Sequence, residues 1–167
     1  MNGAAAPRKL DELFQESGGR PVERDGEMIH MAYRIPVGVE TSKIRLEFSG
    51  FVDEPVQGVC LQVGEGVLSV EGRSHPGLVF WMDAAPSVVD MGVNAEKGST
   101  LQVWNCWRGK FGERAAWLGN AGMICDVVRE GEYKFSCSSG TGEAFFGSMQ
   151  FALRVGKVVG SGREIES

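Results

Sequence analysis

Trp104, Asn105, Trp107 and Arg108 stand together in the segment QVWNCWR, the densest grouping of aromatic and polar side chains in the chain. Alternate residues of a strand point to opposite faces. Trp104 and Cys106 would therefore share one face, and Asn105 and Trp107 the other. Each face then holds a large aromatic, so either the strand is covered on both sides or one indole is exposed. An exposed indole beside Asn105 and Arg108 would make a stacking platform with polar arms, a surface suited to sugars and planar ligands. The plainer reading is that the indoles pack in the core. The next segment, Arg108-Gly109-Lys110-Phe111-Gly112-Glu113-Arg114, mixes cations, an acid and an aromatic between glycines. It reads as an exposed hairpin tip, and such loops often contact partners. Candidate ligand- or partner-binding residues are thus Trp104, Asn105, Trp107, Arg108, Lys110, Phe111 and Arg114.

Catalytic constellations are sparse. The two histidines are His30, on the polar side of an alternating run, and His75, in the turn sequence GRSHPG. A nucleophile for His75 would have to be Ser74 or a cysteine such as Cys106, and no G-x-S-x-G elbow occurs. No C-x₂₋₄-C or H-x₃₋₅-H pair offers zinc spacing. Asp83, Asp90, Asn94 and Glu96 fall in MDAAPSVVDMGVNAEKG, which reads as a long acidic connection, and Asp53 and Glu54 precede Pro55. Calcium is chemically allowed there, but the dense D-x-[DN]-x-[DN]-G pattern is missing. The segment from Cys137 to Glu143 resembles a phosphate cradle only in its glycines and hydroxyls, for it lacks the lysine. No catalytic residue, metal ligand or cofactor is assigned.

The elements that must position these residues follow from periodicity. Leu10, Leu13 and Phe14 share one helical face, and Gly18 and Gly19 end the run, predicting a helix over 8–16. Pro7 suits its first turn. Residues 17–27 are polar and turn-rich and read as a linker. Beyond them the period becomes two. Ile29, Met31, Tyr33 and Ile35 alternate with polar partners, as do Ile44, Leu46 and Phe48, then Val59, Leu61 and Val63. Leu78–Met82 is a continuous apolar run, consistent with a strand buried on both faces. Further strands are expected at 67–70, 101–108, 115–118, 123–128, 133–137 and 149–155, the later ones as a meander. Turn signals between them make about nine or ten strands. Facing sheets of this kind form an all-β antiparallel sandwich, jelly-roll-like, with one short N-terminal helix. Residues 1–27 form helix and linker, 28–157 the sandwich, and 158–167 a flexible tail.

Glycine, at 24 of 167 residues, is about twice as frequent as usual, which suits many short strands joined by turns. Seventeen basic against 22 acidic residues leave a net charge of −5. That balance argues against nonspecific nucleic-acid binding and against docking on anionic membranes. No apolar stretch is long enough for a spanning helix. The N-terminal residues lack the pattern of a secretory signal, so the four cysteines read as thiols in a reducing cytoplasm. Three function classes remain, in this order. The first is a noncatalytic intracellular module that binds another protein through loops or a sheet edge, as an inhibitor, an immunity-type protein or a structural subunit, with self-association as one form. The second is a small-ligand or carbohydrate-binding sandwich using an exposed tryptophan. The third is a small hydrolase on a jelly roll.

Overall fold

Ile44, Leu46 and Phe48 point to one side of a long strand, and Lys43, Arg45 and Glu47 to the other. The same rule, one apolar and one polar face per strand, builds the whole molecule. A computed structural model describes residues 8–39, 41–159 and 163–164. Its elements are α1 (Leu10–Ser17), β1 (Val22–Arg24), β2 (Glu27–Ile29), β3 (Tyr33–Pro36), β4 (Thr41–Phe51), β5 (Gln57–Val63), β6 (Gly66–Val70), β7 (Arg73–His75), β8 (Gly77–Trp81), β9 (Val88–Ala95), β10 (Thr100–Arg108), β11 (Arg114–Ala115), β12 (Gly122–Arg129), β13 (Glu132–Ser138) and β14 (Met149–Val159).

The chain folds as an all-β antiparallel sandwich with one short helix. The large sheet runs β12-β13-β14-β4-β9-β6-β7. The small sheet runs β11-β10-β5-β8, with β3 also paired to β10. From β3 to β10 the chain passes back and forth between the sheets, except at the β6–β7 hairpin, whose two strands both lie in the large sheet. The core holds Ile35, Val59, Leu61, Val63, Leu101 and Val103 from the small sheet against Ile44, Leu46, Val89, Met91, Phe135, Phe151 and Leu153 from the large one.

Several expectations are corrected. There are more strands than nine or ten, because β1, β7 and β9 lacked strong signals or were read otherwise and the expected run 29–35 divides into two. Residues 88–95 are strand β9, not acidic connection. Val89, Met91, Val93 and Ala95 alternate inward there, with Asp90 and Asn94 on the wet face, while Asp83 and Glu96 lie outside the strand. Residues 17–27 contain the β1–β2 hairpin (Val22 opposite Ile29) rather than a structureless linker. The run 29–35 breaks into β2 and β3 around His30. Leu78–Met82 is not buried on both faces, for Leu78, Val79, Phe80 and Trp81 of β8 are all only partly buried. Of the expected 115–118 strand only Ala115 is paired, in the two-residue strand Arg114–Ala115. The late meander is limited to β12-β13-β14, since β10 and β11 belong to the other sheet.

The helix docks rather than hanging free. Leu10 and Phe14 are buried with Ile29 in a satellite cluster. Lys9 supplies no side-chain cap. Instead Asn120 Oδ1 accepts the Leu10 N–H at 3.1 Å, and the Asp11 N–H donates to the Gly119 carbonyl at 2.9 Å. A loop distant in sequence thus satisfies donors that a helix N-terminus always leaves open. Pro7 lies outside the described residues, as do 160–162 and 165–167 of the expected tail. Val158 and Val159 continue β14 and pair with Glu164 and Arg163.

Candidate functional site

Strand register decides which of the candidate residues meet. β10 pairs with β5 so that Trp104 stands opposite Cys60, and Cys106 opposite Gly58. β5 in turn sets Val79 opposite Cys60 and Trp81 opposite Gly58. Arg108 faces Arg114, and Arg34 faces Gln102. Because paired residues share a face, the outer side of the small sheet carries Trp81, Trp104, Arg34, Arg108, Arg114, Gln62 and Gln102. The core side carries Asn105 and Trp107.

Asn105 and Trp107 are therefore not binding residues of an exposed platform. They are 1% and 4% exposed, and Asn105 Nδ2 donates to the Ser138 carbonyl at 2.9 Å. Trp107 packs against Gly140, where even a Cβ would collide with its ring. Lys110 and Phe111 sit at the β10–β11 tip, as expected. Phe111 is 87% exposed, and its N–H donates to the Glu113 carboxylate at 2.9 Å.

Trp104 is half-buried beneath Trp117, a residue the sequence reading left unassigned. The two rings are 5.3 Å apart and tilted by 30°. Trp117 adopts φ 62°, a left-handed backbone that is costly for a bulky residue. Its indole N–H donates to the Met31 carbonyl at 3.0 Å, and 39% of the residue stays exposed. Farther along the sheet, the Arg108 guanidinium lies 4.4 Å from the Trp81 ring centre, a cation–π contact. Gly58 makes that possible, because a Cβ there would come within 2.9 Å of the Trp81 ring.

Between these two stacks lie the thiols of Cys60 and Cys106, both buried. The Cys106 thiol hydrogen-bonds Cys60 and eases its ionisation, and Arg114 acts in the same direction. The same contact, with burial, pushes Cys106 far up.

The arginines on the outer faces of the two sheets differ in their partners. On the large sheet's outer face Arg45 meets Asp90 at 2.7 Å, and Glu132 meets Arg129 at 3.3 Å and Arg154 at 3.9 Å. Among the described residues, Arg34, Arg108 and Arg114 make no ion pair. An acidic protein thus presents one locally cationic face.

A cleft of about 600 Å³ opens at one end of this face. β3 and β11 pair with the same edge of β10 at opposite ends, and the cleft lies on the β3 side. Its walls are the helix-ending turn Gly18–Pro21, the chain from His30 to Arg34, Gln102 and Trp117. Burial lowers the His30 pKa and favours its neutral form.

Among the described residues no three His, Cys, Asp or Glu side chains gather as they would around a metal ion. No described helix is long and apolar enough to cross a membrane. Fold and face together define an all-β sandwich with an aromatic, arginine-bearing outer surface. Comparison with protein families, curated proteins and solved structures finds no match for this chain.

Proposed function

We propose that this chain is a noncatalytic interaction module. It docks an acidic segment of a partner protein on the outer face of the small sheet. One observation carries the reading: among the described residues Arg34, Arg108 and Arg114 make no ion pair beside Trp81, Trp104 and Trp117, while Arg45, Arg129 and Arg154 on the opposite face each meet a carboxylate. Tryptophan and arginine are the side chains that most often anchor protein interfaces. Unpaired arginines beside them favour carboxylates, which guanidinium binds through paired hydrogen bonds. The exposed Lys110–Phe111 tip extends the same surface beyond β10 and β11.

The test is a selection of displayed random peptides on the folded chain. Enrichment of Asp- and Glu-rich sequences, lost in the double variant Arg108→Glu/Arg114→Glu with the fold intact, is the expected result. Selected peptides that bind the double variant equally well, or selection of basic peptides, would overturn the reading.

A further inference from the structure

We infer that the cleft beside Trp117 is a binding site for a small planar aromatic anion, a carboxylate attached to a fused or substituted ring. This goes beyond protein docking; the cleft shares Arg34 and Trp117 with that face but adds Arg20, Pro21, Met31 and Ala32. The volume, about 600 Å³, is that of a small-molecule site. Its walls supply both halves of such a ligand's recognition. Trp117, Pro21, Met31 and Ala32 form the apolar part, and the Trp117 ring is fixed by its stack on Trp104 and its hydrogen bond to Met31. Arg20 and Arg34 provide the cations, and no carboxylate lines the cleft. The Arg20 side chain is held at the rim, its Nε donating to the Ser17 carbonyl at 2.8 Å. Arg34 makes no ion pair among the described residues, so its guanidinium is available to a ligand oxygen. A neutral sugar would leave two arginines without a counter-charge, and a cation would be repelled by both.

The rigid setting of Trp117 strengthens the assignment. A bulky residue at φ 62° persists only where its surroundings hold it, and such positions cluster at ligand-binding sites. The cleft is also bordered by the helix-ending turn, in which the Gly19 N–H donates to the Phe14 carbonyl at 2.8 Å. Helix docking therefore completes one wall.

The experiment titrates the ¹⁵N-labelled full chain with 2-naphthoate, and in parallel with the matched cation 2-naphthylmethylammonium. Saturable shifts of the Gly19, Ala32 and Arg34 amides and of the Trp117 indole N–H are expected with the carboxylate only. Arg34→Gln should weaken binding by roughly tenfold, the loss of one charge-assisted contact. Arg20→Gln/Arg34→Gln should abolish it, with unchanged amide dispersion reporting an intact fold. The assignment would be overturned by no saturable shift up to about 10 mM, by shifts centred elsewhere, or by an equal response to the cation. Unaltered affinity in Arg34→Gln would do the same.

Discussion

Asn105 and Trp117 show how little a residue's type says about its task. Asn105 is a polar side chain spent inside the core on one carbonyl. Replacing it with alanine leaves the Ser138 carbonyl short of a partner and should cost about 1–3 kcal/mol, measured by urea unfolding. Trp117 is the reverse, an indole kept partly in water. Trp117→Phe should remove most of the acrylamide-quenchable, red-shifted emission, because Trp107 is sealed in the core and Trp81 and Trp104 are covered by Arg108 and by Trp117 itself. An unchanged quenching slope would place the exposed indole elsewhere. His30 gives a pH signature. Its folded pKa lies below the ordinary 6.5, so as pH falls through 6.5 the unfolded chain takes up a proton that the folded chain refuses. Stability should then drop as pH falls below that value and level off below the folded pKa. His30→Gln should flatten this part of the pH–stability curve.

At the scale of elements, α1 matters most. Its sequence predicts an amphipathic helix, but eight residues are too few to be stable alone in water. The helix exists because Leu10 and Phe14 meet Ile29 and because the 119–120 loop caps it. Phe14→Ala should cost about 3–5 kcal/mol, the range for a truncated core aromatic. Since the next residues wall the cleft, the same substitution should also shift the Trp117 indole N–H resonance. An unshifted resonance would show that the wall stands without the helix. β8 is the exposed edge of the small sheet. On its outer face the Arg108 guanidinium lies over the Trp81 ring.

Over the whole molecule, net charge and local charge point in opposite directions. The balance of −5 describes the average surface, whereas a partner meets one face. Binding of an acidic peptide to the small sheet should weaken as salt rises from 0.05 to 0.5 M, because the Debye length shrinks across that interval. A salt-independent affinity, read by fluorescence polarisation, would mean that the arginines take no part.

The amino-acid sequence by itself determined the fold class, the central strands and the helix. Alternation such as Ile44-Leu46-Phe48 is a local property that one buried face imposes. It failed for β9, where Asp90 and the acids flanking the strand masked inward-pointing Val89, Met91 and Val93, and for β1 and β7, which are too short to show a period. At the candidate site it correctly set Trp104 and Trp107 on opposite faces, and it singled out Arg108 and Arg114. Which face was wet, and that Trp81, Trp117 and Arg34 share it, only the tertiary structure decided. Those residues are brought together by the pairing of β10 with β3, β5 and β11, and of β5 with β8. Pairing between strands far apart in the chain is set by how both sheets close over one core, and no local spacing records it.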